Sequence, residues 1–458
     1  MKYKKILFIS PDYNYPDKES YPNGGLLSMA SVLKERDCDV HIIHMAADKR
    51  DLLFIRNLLE EYKPDLVGIS VMTFQVKSAK ALVKIVKQVN PNILCVIGGP
   101  HVSALQQPIF IDFPQADIAV LGEGEETILE IAQGKDWNKI SGICTPTMVT
   151  NPRQRIKNLD HLPYPDLSLI NMDNFSAPAP VAARPSMSIM ASRGCPSMCG
   201  FCSKSVFGGK MSYKTPERVV SEIHHLHSKY GIKEIFLHDD TLNLNRDWCL
   251  EIFGRIISRG LNHIKFKAPF RANEKLVDYE LLNRAKCAGV WLIFYGVEAG
   301  NQGMLNNMHK GLHKSEIRRA FKMTHKAGIK TTASFIVGYP GETAETIADS
   351  LAFAKELKPF WLGFSRLTPF PGTESIRLLY GSEGLEAGTG FDNAKPDHIY
   401  GASYGFEGLL ADKQFRDRYL DVDQLESQAV KLDKWSYKYK LMQLIKHPRI
   451  AWNTLRNR

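Results

Sequence analysis

From Ile6 onward the chain alternates short, wholly apolar, β-branched runs with longer stretches in which apolar residues recur every three or four positions. The runs Ile6 to Ser10, Val40 to His44, Leu66 to Ser70, Ile93 to Gly98 and Ile118 to Leu121 predict strands buried on both faces. The stretches Leu26 to Arg36, Arg50 to Tyr62, Lys77 to Val89 and Glu125 to Gln133 predict the helices between them. Strands joined by crossover helices pair in parallel, so residues 1–150 predict a doubly wound sheet whose ligand lies beyond the carboxyl ends of the strands. Those ends carry Gly24-Gly25, Gly98-Gly99-Pro100-His101 and Gly122-Glu123-Gly124-Glu125, with Ser70 and Thr73 beside them. One glycine pair is ordinary loop chemistry, but their joint placement predicts a large flat ligand lying across the sheet edge.

Residues 151–185 lapse into prolines and polar residues, including Ala177-Pro178-Ala179-Pro180, and read as a linker. A second alternation then begins. Strands are predicted at Ser188 to Ala191, Glu234 to Leu237, Ile264 to Ala268, Trp291 to Tyr295, Thr332 to Val337 and Leu362 to Leu367. Helices are predicted at Pro216 to Tyr230, Arg246 to Arg259, Tyr279 to Ala288, Ser315 to Ala327 and Glu342 to Leu357. Six βα units are too few to close an eight-stranded barrel, so residues 186–375 predict a partial one with an open side. Residues 376–458 remain as a small, mostly helical extension.

Composition narrows the class of protein. Apolar residues at 44% and charged at 24% describe an ordinary globular chain. The apolar run after Lys5 is too short for a signal peptide, and the longest uncharged stretch, Gln88 to Ile111, is broken by Pro91, Gly98, Gly99, Pro100 and Pro108. A cytoplasmic protein with reduced thiols is expected, with Cys38, Cys95, Cys144, Cys249 and Cys287 as unpaired core residues. The net charge of +10 does not imply a nucleic-acid partner, because Lys431, Lys434, Lys438, Lys440, Lys446, Arg449, Arg456 and Arg458 against Asp433 place most of it in the tail. There the cations interleave with Trp435, Tyr437, Tyr439 and Trp452. Two readings stay open: a helix packed on the barrel with a solvated basic face, or peripheral contact with an anionic membrane, which would imply a lipid-like substrate and an open barrel side facing the bilayer.

The chemistry concentrates in Ser192-Arg193-Gly194-Cys195-Pro196-Ser197-Met198-Cys199-Gly200-Phe201-Cys202. A closed zinc site wants four protein ligands, and no second cysteine or histidine pair follows at a suitable interval. Three thiolates on one loop suit three corners of a [4Fe-4S] cluster, with one iron left open. Gly194, Pro196 and Gly200 mark the segment as a loop, where packed core cysteines seldom gather.

This loop, with Phe201 before the last cysteine, resembles the cluster loop of radical S-adenosylmethionine (SAM) enzymes. The preceding domain resembles the cobalamin-binding domain that one branch of them carries; residues 5 to about 375 fit the pattern and the last eighty or so only loosely. The resemblance implies an α/β protein: a Rossmann-like cobalamin-binding domain, then a partial TIM-type barrel. It implies Asp239, Asp240, Glu298 and Gly338 as SAM contacts, with backbone contacts from Phe201 to adenine, Arg271 as a carboxylate ligand and Glu342 after the fifth strand. His101 stands where an axial cobalt ligand could arise, but the Asp-x-His-x-x-Gly motif is absent. His101 therefore reads as a loop histidine bonded to backbone, and the resemblance implies a corrin bound without a protein ligand to cobalt.

The implied activity is methyl transfer to an unactivated carbon of a small-molecule or lipid-like substrate, by way of a 5′-deoxyadenosyl radical and methylcobalamin. A flavodoxin- or ferredoxin-type donor would supply electrons. Within the same cofactor set an oxidative cyclase or carbon-skeleton enzyme stays open, as in the anaerobic porphyrin cyclases this organisation also resembles. A non-catalytic iron–sulfur or corrin-binding protein is the third reading, and a purely electron-transferring cluster would want four thiolates.

Overall fold

The computed structural model of the chain describes residues 1–12, 21–368, 370–380 and 422–455. They form two compact units, one from Met1–Ser176 with Ser203–Gly208 and residues 370–380, the other from Ala177–Cys202 and Gly209–Thr368 with the C-terminal helices.

In the first unit the strands are β1 (Lys5–Ser10), β2 (Asp39–His44), β3 (Leu66–Ser70), β4 (Leu94–Gly98) and β5 (Ile118–Val120). They pair in parallel in the order β2-β1-β3-β4-β5. Helices α1 (Gly24–Lys34), α2 (Leu52–Tyr62) and α3 (Val76–Val89) join β1 through β4, two short helices (Pro100–Leu105 and Ile109–Asp112) join β4 to β5, and α4 (Glu125–Gln133) follows β5. The order reverses between β1 and β3, and the crevice beyond their carboxyl ends is where an open sheet of this type takes its ligand. Burial explains the unbroken apolar runs: Ile6, Leu7, Phe8 and Ile9 are all buried, because helices cover both faces. Gly68 makes room for Phe8, whose ring lies 2.6 Å from where a Cβ would stand. Two short strands escaped the pattern, β6 (Ile143–Thr145) and β7 (Met148–Val149), which extend the sheet antiparallel beyond β5. Runs of two or three residues are too short to show a period.

The second unit is an open sheet of six parallel strands. Its strands are β8 (Ser186–Ile189), β11 (Glu234–Leu237), β12 (Lys265–Phe270), β13 (Val290–Glu298), β14 (Lys330–Val337) and β15 (Trp361–Arg366), in that order across the sheet. A small ribbon, β9 (Ser192–Arg193) with β10 (Ser212–Tyr213), interrupts the numbering after β8. Helices α5 (Pro216–Tyr230), α6 (Arg246–Ser258), α7 (Tyr279–Cys287), α8 (Lys314–Lys326) and α9 (Ala344–Leu357) form the outer layer. This is the partial barrel that six βα units predict.

The amino ends of the strands are closed by a buried ion pair. Lys267 Nζ lies 2.9 Å from Glu234 Oε1, and both side chains are almost wholly enclosed. Glu234 also accepts from the backbone N–H of Ala182 and Ala183, and Lys267 donates to the carbonyl of Pro180. The second half of the expected linker is therefore seated against the barrel floor, which explains its proline-rich, aperiodic sequence.

The C-terminal helices α10 (Val422–Lys446) and α11 (Pro448–Leu455) belong to this unit. Ala429, Leu432 and Ser436 are buried; Tyr439 donates to the Pro359 carbonyl (2.6 Å), and Arg366 pairs with Asp433 (2.8 Å). Thus α10 packs along β15, the edge strand that would otherwise be open. Residues 381–421, about half of the expected extension, lie outside the described residues.

Candidate active site

The cysteine loop leaves the carboxyl end of β8. Its entry is fixed by the β9–β10 ribbon and by Asp239, which accepts from the Ala191 N–H (2.8 Å) and the Ser192 hydroxyl (2.5 Å). Gly194 takes a positive φ of 95°, which glycine adopts without strain. Farther on, the Gly200 N–H donates to the Met308 carbonyl, and the Cys202 N–H closes a turn on the Cys199 carbonyl. Cys195 and Cys199 are half-buried and Cys202 is exposed. Cys38, Cys95, Cys144 and Cys249 are buried instead, and burial pushes the Cys95 thiol up to about 12 and the Cys144 thiol to about 11. Such thiols resist ionisation and make poor ligands. Cys287 departs from expectation: it is exposed at the end of α7 rather than buried.

The loop thus offers three accessible thiols within eight residues, with Arg271 Nη1 4.0 Å from Cys199 Sγ. Among the described residues no three His, Cys, Asp or Glu side chains stand close enough to share one metal ion. Three accessible thiols on one loop are the donor set for three corners of a four-iron cube, with the fourth iron left open.

The structure separates the acidic pair after β11. Asp239 is buried, with both oxygens committed to the loop, and burial pushes its carboxyl up to about 7. It is a buttress, not an open acceptor, which corrects the expectation of a SAM contact. Asp240 is exposed beside it, and Thr241 lies 3.9 Å from Cys195 Sγ. Arg271 is also differently used: Nε donates to Asn273 (2.6 Å), Nη2 reaches the Lys310 carbonyl, and its own N–H donates to the wholly buried Asn243 (2.8 Å). Its guanidinium is fixed beside the cysteines rather than free for a carboxylate.

Glu298 ends β13 at φ 66°, a conformation that costs about 1–3 kcal/mol for a residue with a side chain. Its carboxylate pairs with Lys310 Nζ at 2.8 Å, and both are largely buried. Lys310 also lies 5.9 Å from the Phe201 ring centroid. Gly338 follows β14 with a positive φ of 92°, and its N–H donates to Glu342. Glu342 is buried, and burial pushes its carboxyl up to about 7; one oxygen holds the Gly338 turn while the other has no hydrogen-bond partner among the described residues. Lys310, Asn243 and Asn273 escaped the sequence reading, because each lies in a loop with no motif and matters only through folded neighbours.

In the first unit the strand ends form a ledge. Gly24 and Gly25 open α1 and are exposed; among the described residues nothing lies within 4 Å of a Cβ added at Gly24. Asn23 caps this helix through the Leu26 N–H (3.1 Å), and its amide donates to Ser70 Oγ (3.2 Å). A Cβ at Gly98 would make only ordinary contacts with Val120, its carbonyl oxygen at 3.6 Å and its Cβ at 3.7 Å. These small residues at the switch point fit a flat ligand. Gly99 has another reason to be glycine: at φ 102° an added Cβ would lie 2.9 Å from the Val71 backbone. Gly122 also has a positive φ, 74°, and its N–H donates to Ser103.

His101 is buried, with Nδ1 3.2 Å from the hydroxyl of Thr73, also buried; burial lowers the imidazole to about 3. A side chain, Thr73, thus bonds the ring of this loop histidine, and Thr73 is buried against it rather than lining the ledge. Glu123 is likewise buried, accepting from the Ile156 N–H (2.9 Å) rather than facing a ligand.

A glycine-edged doubly wound domain and a six-stranded half-barrel with a three-cysteine loop together define a cobalamin-binding radical SAM enzyme. Residues 189–354 match the radical SAM superfamily and residues 18–132 the B12 binding domain. The chain belongs to this family: over 386 residues it is 34% identical to an uncharacterized methyltransferase of Pyrococcus horikoshii, covering 81% of this chain and 82% of that one. It is 29% identical to the anaerobic magnesium-protoporphyrin IX monomethyl ester cyclase of Cereibacter sphaeroides, covering 82% of this chain and 63% of that protein. In fold it is similar to the radical SAM methyltransferase TsrM of Kitasatospora setae (TM-score 0.68, 20% identity, 83% of this chain and 78% of that one). A [4Fe-4S] cluster, SAM and cobalamin are the cofactors of the family.

Proposed function

We propose that the protein transfers a methyl group from SAM to an unactivated carbon of a small molecule. The observation that carries this is the three-cysteine loop and the glycine-edged B12 domain in one chain, with a methyltransferase as its 34% identical relative. When bound, the cofactors supply reductive cleavage of SAM to a carbon radical and a carrier for the methyl group. Cys195, Cys199 and Cys202 would hold the cluster, and Arg271 balances their charge. Asp240, exposed beside the buried Asp239, would accept from the SAM amino group. Glu298, strained and paired with Lys310, would meet the ribose hydroxyls, and the Phe201 and Gly338 backbones would flank adenine. Gly24, Gly25, Ser70 and Gly98 would lie under the corrin.

A flavodoxin- or ferredoxin-type protein would supply electrons. The setting we propose is cytoplasmic, with peripheral contact at the inner face of a membrane through the basic C-terminal helices. No helix among the described residues is long and apolar enough to cross a membrane. An oxidative cyclisation is the second reading, favoured by the cyclase relative.

Methyl-labelled SAM separates the two. With anaerobically reconstituted protein and cobalamin, the label is expected in the cobalamin fraction; label found only in methionine would overturn methyl transfer and favour the cyclase. Replacing Cys195, Cys199 and Cys202 together with Ala is expected to abolish 5′-deoxyadenosine formation, and its persistence would remove the cluster assignment.

A further inference from the structure

Half of the large apolar side chains exposed among the described residues lie on the last two helices: Val430, Tyr437, Leu441, Met442, Ile445, Trp452 and Leu455. They are not scattered. The buried stripe of α10, Ala429, Leu432 and Ser436, faces β15. By helical periodicity Val430, Tyr437, Leu441 and Ile445 share a second stripe on the outward side of α10, and Trp452 and Leu455 are exposed on α11. Tyr437, Ile445 and Trp452 are 69%, 72% and 67% exposed, more than packed surface helices present.

The charge around this row has one sign. Lys431, Lys434, Lys438, Lys446 and Arg449 are exposed along it, and the one acid between residues 430 and 455, Asp433, is taken by Arg366. An apolar row flanked by long cationic side chains matches an anionic phospholipid surface: the apolar groups enter the headgroup boundary while the lysines reach the phosphates. An acidic protein would need an apolar strip in matching register between its carboxylates, whereas an anionic bilayer offers both along its whole surface.

The position of the row decides what docking does. Tyr439 bonds to Pro359 just before β15, His447 lies 3.0 Å from Lys330 at the start of β14, and Thr454 and Asn453 bond to residues 181–184 ahead of β8. These contacts place the row from Tyr437 onward at the amino ends of the barrel strands, while the start of α10, where Asp433 pairs with Arg366, lies at the carboxyl end of β15. The cysteine loop leaves the carboxyl ends, the reactive end of such barrels.

We propose that Tyr437, Leu441, Ile445 and Trp452, with their flanking lysines, dock the protein on an anionic membrane by the amino-terminal end of the barrel, leaving the reaction centre in the aqueous phase. This rests on the membrane contact proposed above, not on the chemistry. It reverses the expectation that membrane contact implies a lipid substrate entering through the open side: the substrate reaches the cysteine end from solution.

The test is sedimentation of the full chain with vesicles of phosphatidylglycerol mixed into phosphatidylcholine and with phosphatidylcholine alone, at low and high salt. Wild type is expected to pellet with the mixed vesicles at low salt and to be released by salt. The variant Leu441→Gln/Ile445→Gln/Trp452→Gln should stay in the supernatant, and Lys434→Gln/Lys438→Gln/Lys446→Gln should partition about a hundredfold less, roughly fivefold per cation. Both should form 5′-deoxyadenosine at the wild-type rate, which shows that they fold and separates this idea from the chemistry. The proposal is overturned if wild type ignores the mixed vesicles, if the variants pellet like wild type, or if sedimentation velocity shows a dimer that the first variant abolishes, since a second copy would then cover the row.

Discussion

Glu342 shows how one side chain in the site is tuned by its surroundings. Its carboxyl is pushed from its ordinary 4.5 up to about 7 by burial, opposed by the Gly338 N–H. The folded protein therefore keeps a proton here, between pH 4.5 and 7, that the unfolded chain has lost, and stability falls as pH rises through that window. Asp239 contributes in the same direction. Glu342→Gln keeps the acceptor for Gly338 but cannot titrate. Urea unfolding of Glu342→Gln is expected to show a smaller loss of stability between pH 5 and pH 8 than wild type; equal losses would place the proton elsewhere.

At the scale of elements, the loop after β4 holds two glycines with different reasons to be glycine. Gly99 packs against the Val71 backbone at positive φ, so Gly99→Ala is expected to cost about 2 kcal/mol or more in thermal or chemical unfolding, with or without cobalamin. Gly98 has room for a methyl group, so Gly98→Ala should unfold like wild type, and a larger Gly98→Leu should lower cobalamin affinity in anaerobic titration without loss of the cluster. If Gly98→Leu binds cobalamin as wild type does, the ledge is not the corrin site.

At the scale of the molecule, the buried Lys267–Glu234 pair ties the barrel floor to residues 178–183, and α11 bonds to the neighbouring residues 181–184. Removing one partner leaves a charge enclosed without compensation, so Lys267→Met is expected to lower stability by about 3–5 kcal/mol, read from the denaturation midpoint. The double variant Glu234→Gln/Lys267→Met should recover part of that loss. A double variant no better than the single one would mean that the backbone contacts, not the ion pair, hold the floor.

The sequence by itself determined the alternation of β11, α5 and their successors, because apolar period and turn residues are local properties of the chain. The three-cysteine loop was equally legible, since its chemistry lies in spacing within eight residues. Only the tertiary structure decided which polar residues face a ligand. Asp239 and Asp240 are neighbours of one residue type, yet one buttresses the loop and the other is open, because successive side chains around a strand end point to opposite sides. Lys310 beside Glu298, Asn243 beneath Arg271 and Thr73 against His101 are separated along the chain by 12, 28 and 28 residues. No local pattern carries such pairings; they arise when the strands fix their register and bring loop residues into contact.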